Sequence, residues 1–189
     1  MWVKIVSRLR DRINNRRNLL VSKSNSCIPK AVSDKPFEYA ASLFKASVHH
    51  TPKIEKISII DPYIMPIDLD NLTSLFGGSS KITLEIISKF NSVGDDDEKK
   101  DRKIKINERK IHLVKNGLFK SIDLIHSKES MHDRYYIYWC EEAMLKVFFV
   151  GGSIGQKFSD YIGIVEISDK YMLNNIVTYY NKLAYNKLI

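Results

Sequence analysis

The sequence predicts an α/β domain built on a mixed β-sheet, antiparallel towards its later end and flanked by helices. Three observations carry this. Early in the chain, short apolar runs of strand length alternate with stretches at helical spacing. Later, several strand-like runs follow one another with only short polar breaks, which suits antiparallel neighbours. The 189 residues also combine 44% hydrophobic with 28% charged side chains, the balance of a globular chain able to bury a core without staples.

Residues 2–20 read as a helix. Trp2, Ile5, Val6, Leu9, Ile13, Leu19 and Leu20 form a partial stripe, with arginines elsewhere. Residues 22–34 read as a polar linker. The sequence thus divides into a basic N-terminal helix and linker, 1–34, and a domain, 35–189. Eight bases against Asp11 alone give residues 1–30 a net charge of +7 out of a total of +8. The body is nearly neutral, so the basic character belongs to the arm. The arm suits a docking helix with a solvated face, an anionic lipid surface or a nucleic acid.

Pro36 opens a second helix, about 36–49, capped by Ser33 or Asp34, with Phe37, Ala40, Ala41, Phe44 and Val48 inward. Lys56–Tyr63 reads as a buried strand ending in a Pro turn, where Asp61 shapes the strand end through Pro62. A helix over 67–76 stops at Gly77-Gly78, and a strand follows at 81–87. Residues 91–103 read as a charged surface excursion. Its acids Asp95, Asp96, Asp97 and Glu98 lack the alternating ligands and glycine of a calcium loop, so no metal site is expected. A helix is predicted over 104–119, then strands at 121–126, 131–138, 147–150 and 161–167. A final helix is predicted over 169–187, with Met172, Ile176, Tyr179, Tyr180 and Leu183 inward.

The two cysteines, Cys27 and Cys140, form no CxxC pair, which argues against a disulfide framework or a cysteine-rich zinc site and favours a reducing cytoplasm. No apolar run reaches the length of a membrane span, and Arg8 and Arg10 interrupt the N-terminal run too early for a signal peptide.

One stretch points at chemistry. His132 and Arg134, two apart, share one face of the predicted 131–138 strand, and Gly151-Gly152-Ser153 ends the next. An imidazole, a guanidinium and a hydroxyl therefore meet at one sheet edge, a set suited to gripping and attacking a phosphate. Tyr136 and Tyr138 share the His132 face, where they line the pocket or simply pack. His126-Ser127-Lys128 offers a second His-x-Lys, but in a turn-rich stretch that marks His126 as a loop residue at the mouth of the site.

Residues 36–187 resemble the phospholipase D superfamily. The resemblance rests on His132, Arg134 and Gly152-Ser153, on the Ile59-Ile60-Asp61-Pro62-Tyr63 strand end, and on the Tyr/Ile alternation after His-Asp-Arg. It implies a metal-independent phosphodiesterase, most naturally a nuclease, with no cofactor. His132 would be the nucleophile forming a phosphohistidine, Arg134 and Ser153 the phosphate cradle, and Asp160 the acid orienting the histidine, with Glu166 as the alternative. Gly152 and Gln156 would line the phosphate site. A single motif implies a homodimer, or a larger context, to supply the second histidine. Arginine stands where the family has lysine, Trp139 falls where an aspartate is usual, and the asparagine after the serine is missing. These departures favour a second reading: a module that binds phosphoinositide membranes or nucleic acid without turnover, or an effector domain with a partner protein.

Overall fold

A computed structural model describes residues 36–184 except 52, 91–94, 153 and 155–162. The predicted N-terminal helix and linker, with their basic surface, lie outside these residues.

The described chain is a mixed six-stranded sheet covered by helices on both faces. Its elements in order are α1 (Pro36–His50), β1 (Lys56–Ile60), α2 (Pro66–Phe76), β2 (Ser79–Ser88), α3 (Asp96–Lys115), β3 (Phe119–His126), β4 (Tyr135–Cys140), β5 (Ala143–Val150), β6 (Ile164–Glu166) and α4 (Lys170–Ala184). The strand order is β3-β2-β1-β4-β5-β6. The first three strands run parallel, and β4, β5 and β6 each pair antiparallel with the strand before them in that order. The sheet is therefore mixed, with its antiparallel part formed by the later strands.

Alternation along the strands divides the core. Ile57, Ile59, Leu84, Ile86, Tyr136, Tyr138 and Phe148 face one side. There they pack on Phe44 of α1 and on Leu69, Leu72, Leu75 and Phe76 of α2. Ile60, Ile87, Ile137, Trp139 and Val147 face the other side, against Ile176, Tyr180 and Leu183 of α4. The inward faces of α1 and α4 match the sequence pattern. Phe44 is fully buried, with Tyr136, Phe76 and Phe148 around it at centroid distances of 5.2, 5.6 and 5.4 Å.

Several boundaries differ from the sequence reading, three of them by enough to matter at the strand ends or along the helix. α3 starts at Asp96, eight residues before the predicted 104, so most of the supposed charged excursion is helix. Asp95 caps it, its Oδ1 accepting from Glu98 N at 2.9 Å. Asp96, Asp97 and Glu98 then favour the positive end of the helix dipole. The predicted strand at 131–138 starts only at Tyr135. The break between β4 and β5 shrinks to Glu141 and Glu142, with Glu141 at φ +53°. Strand 161–167 is described only over Ile164–Glu166, and the end of the predicted last helix, 185–187, lies outside the described residues.

No described helix is long and apolar enough to cross a membrane.

Candidate functional site

The chain leaves β1 for β2 and β3 on one side, then returns to the other side of β1 as β4. The carboxyl ends of parallel β1, β2 and β3 therefore meet the start of antiparallel β4. The residues at that end are polar.

Asp61 follows β1 directly and is wholly buried. Its backbone N–H extends the sheet by donating to Ile87 O at 3.1 Å. Its Oδ1 accepts from Tyr63 N at 3.0 Å, which closes the Asp-Pro-Tyr turn as an Asx turn. Its Oδ2 faces Arg134 Nε at 3.3 Å. That pair is an ion pair by distance but poorly aligned as a hydrogen bond, so both atoms remain without a bonded partner. Burial pushes the Asp61 carboxyl above the usual aspartate range, while the Tyr63 N–H and the Arg134 charge oppose that rise.

Asp68 lies one helical turn into α2 and is also wholly buried. Its Oδ2 accepts from Met65 N at 2.7 Å, capping α2 from inside, and Pro66 occupies the first turn without wasting a donor. Burial raises its pKa to about 6, and the nearby Asp61 charge adds to the rise. Asn71 Nδ2 reaches both Asp68 Oδ1 and Ile154 O at 3.4 Å, which ties α2 to the loop after β5.

Arg134 immediately precedes β4. Its carbonyl accepts from Val150 N at 3.0 Å, and its guanidinium carbon sits 5.9 Å from the ring centroid of exposed Tyr63. The β4–β5 register, Tyr135 opposite Phe149, sets Arg134 opposite Val150, just before Gly151 and Gly152. Gly151 N donates to Gly163 O at 2.7 Å, which carries the β5–β6 pairing one step past the strand ends.

His132 is exposed and lies in the loop before β4, not on the strand. Its Nε2 is 3.1 Å from Ser130 Oγ. The loop is pinned by Met131, buried in the α4-side core, and by the Lys182–Glu129 ion pair at 2.8 Å. His132 and Arg134 therefore do share one end of the sheet; the ladder reaches Arg134, whereas His132 lies in the loop, where strand alternation does not set its direction. Ser153, Gln156 and Asp160 lie outside the described residues. Gly152 is half-buried at the expected position.

Four placements correct the sequence reading. Tyr136 is fully buried against Phe44 and Phe76, so its ring is core and does not line the mouth; its unpartnered hydroxyl lies under the Asp61–Arg134 cluster. Burial and the two carboxylates push that phenol well above its ordinary pKa. Tyr138 is buried likewise, packed on Phe76 and Phe148. Glu166 faces Lys146 at 3.6 Å, and its β-partner Phe148 lies two positions down β5 from Val150, which removes it from the histidine. His126 is the last residue of β3, not a loop residue. Asp68, Asn71 and Ser88 carried no sequence signal. Each sits on a different element from the His-x-Arg motif, and only the strand order brings them to it.

Among the described residues no cluster of three or more His, Cys, Asp or Glu side chains is placed to hold a metal ion. What the site offers is one guanidinium backed by a buried carboxylate, one solvent-facing imidazole and a glycine-bounded turn.

No family model matches the chain, and no curated protein matches it. Among solved structures, it is similar to TrmBL2, an archaeal chromatin protein whose structure shows a novel mode of DNA binding, at 15% identity and a TM-score of 0.38. The match covers 99% of this chain and 66% of that one, so the chain spans just under two thirds of its length. A superposition at this level carries no argument about function.

Proposed function

We propose that the chain is a phospholipase D-like phosphodiesterase, a nuclease, in which His132 attacks phosphorus and Arg134 holds the non-bridging oxygens. The observation that supports this reading is the ion pair of Arg134 with buried Asp61 at 3.3 Å, two residues along the chain from the exposed imidazole of His132. The fork of an arginine so held directs its remaining donors outward as a set, which suits a tetrahedral oxyanion.

In the first step a lone pair of His132 forms an N–P bond while the P–O bond to the leaving group breaks. The leaving oxygen takes a proton from a second acid, which the resemblance assigns to the histidine of a second copy of the chain. Water then attacks phosphorus, gives its proton to that same group, and releases His132.

The test is hydrolysis of bis(p-nitrophenyl) phosphate and of a single-stranded oligonucleotide with EDTA present. Wild type should cleave both, and His132→Ala should fall to background, by roughly 10³-fold or more for loss of a nucleophile. Unchanged cleavage by His132→Ala, or activity restored only by a divalent metal, would overturn the mechanism.

One observation favours a second reading, a module that binds phosphate esters without turnover. Asp61 offsets part of the Arg134 charge inside the site, which weakens stabilisation of a doubly charged transition state more than binding of a singly charged diester. Salt-dependent oligonucleotide binding with no cleavage by wild type would select it.

A further inference from the structure

The sheet registers set one row of residues across the carboxyl ends of four strands. Ser88 of β2 pairs with His126 of β3. The β1–β2 register, Ile60 beside Ile87, sets Asp61 beside Ser88, and the β1–β4 register, Ile60 beside Tyr135, sets Asp61 beside Arg134. All four lie on the face that carries Ile59, Ile86 and Tyr136. The middle two are buried, whereas His126 and Arg134, at the ends, reach the surface. Three strand spacings separate those ends, roughly 14 Å.

His126 is set apart from a packing histidine. Its Nδ1 is buried and has no hydrogen-bond partner, where a structural ring normally ties that nitrogen to a carbonyl or side chain. The charges that act on it are those of Lys103 on α3 and Lys128 just after β3. Both lysines are exposed, and among the described residues neither has an ion-pair partner. The two lysine charges add positive potential at this corner of the sheet, which a bound anion relieves. Between this corner and Arg134, the turn after β1 presents Tyr63, 49% exposed.

We propose that His126, Lys103 and Lys128 form a second phosphate-binding site, which takes a phosphate further along a single-stranded nucleic acid whose first phosphate lies at Arg134, with Tyr63 stacking on a base between them. The anion site stands on its own residues; its place on the path of a substrate rests on the reading above. The ~14 Å gap is spanned by a short run of unstacked nucleotides, whose phosphates lie further apart than the roughly 3.4 Å axial rise of a stacked strand. A single phosphate ester or one lipid headgroup does not bridge it. An exposed aromatic ring flanked by cations is the usual platform for unpaired bases.

The test compares His132→Ala, used to prevent turnover, with the same protein also carrying Lys103→Gln and Lys128→Gln. Both lysines are exposed, so the fold tolerates the change. The probes are labelled dT12 and dT2 over a salt series. The lysine changes should weaken dT12 binding roughly tenfold and flatten the slope of log affinity against log salt by about 1.4, two contacts at about 0.7 each, with dT2 unaffected. Tyr63→Ala should also cost dT12 roughly tenfold. Unchanged dT12 affinity and slope in the lysine variant would overturn the site. So would loss of binding to anionic phosphatidylserine vesicles with dT12 binding retained, which would assign these lysines to a membrane. The outcomes separate from those of the catalytic reading. Lysine-dependent dT12 binding without hydrolysis of bis(p-nitrophenyl) phosphate by wild type leaves this site standing and removes the nuclease. Hydrolysis with lysine-independent dT12 binding does the reverse.

Discussion

Two buried polar clusters interrupt the core of this protein, one on each face of the sheet, and they differ in how completely they are satisfied. On the α4 face, Glu85 Oε1 accepts from Ser58 Oγ and from Tyr180 OH, each at 2.7 Å. Trp139 Nε1 donates to Ser58 Oγ at 2.8 Å, and Lys56 Nζ donates to Tyr180 OH at 3.1 Å while lying 4.9 Å from the Trp139 ring centroid. None of these groups lacks a partner. On the opposite face, Asp61 Oδ2, Arg134 Nε and the Tyr136 hydroxyl are buried and have none. A closed network of this kind fastens α4 to the sheet and specifies how it docks. An open one stores unsatisfied polarity at the strand ends, where a ligand can use it. The same chemistry, a buried carboxylate beside a cation, is thus closed in one place and left open in the other.

Glu85 holds the closed network together. Glu85→Ala strands Ser58, Tyr180 and the Lys56 charge at once and leaves a cavity. A loss of about 3 kcal/mol is expected, read as a lower urea midpoint. A loss under about 1 kcal/mol would mean that the network does not hold the helix. Anion binding by the folded fraction should be unchanged, because Glu85 faces α4 and not the site.

A second, smaller effect sharpens the contrast through pH. The Asp68 carboxyl titrates at about 6 in the folded protein, above its ordinary 3.8, because it is buried beside Asp61. The folded state then holds the proton more tightly than the unfolded chain does. The contribution of this group to stability is greatest below about pH 4, declines as pH rises through about 6, and is constant above. Asp61 is displaced in the same direction. Melting temperatures measured from pH 4.5 to 7.5 should therefore fall with rising pH more steeply in wild type than in Asp68→Asn. Parallel curves would show that the acid is not strained by its burial.

These two clusters were not equally legible in the sequence. The apolar faces of α1 and α4 and the succession of strands follow from periodicity, which is local. The pairing of β4 with β5 is also local, because a hairpin sets its register by counting residues. Asp61 and Arg134 are far apart in the chain and meet only because β4 returns beside β1; nothing in their neighbours' sequence specifies that. Nothing local sets Asp68 and Asn71 apart from other helix polars, since the sequence of α2 does not specify which side meets the strand ends. The early start of α3 failed for a different reason. Only Ile106 and Leu113 are buried along its length, so it has almost no apolar stripe. Its signal lay in Asp95 as a cap with acids in the first turn, and a charged run hides that signal when it is read as composition.

The smallest stability change belongs to Asp61 itself. Asp61→Asn keeps an oxygen to accept from Tyr63 N, and so keeps the turn, but removes a buried charge that its surroundings already penalise. Arg134 loses its partner but still reaches solvent, with 17% of its side chain exposed. Desolvation relieved and attraction lost nearly offset, so the urea midpoint should move by less than about 1 kcal/mol in either direction. Affinity should move by more. With Asp61 neutral, Arg134 presents its full charge and also turns more freely. A diester such as dT2 should bind more tightly by a factor of a few, while cleavage, which depends on a fixed guanidinium, should fall. Tighter binding with slower cleavage would assign Asp61 as the residue that positions Arg134. Equal losses in stability and affinity would make the pair a structural clamp like the Glu85 network, and the difference between the two faces of the sheet would disappear.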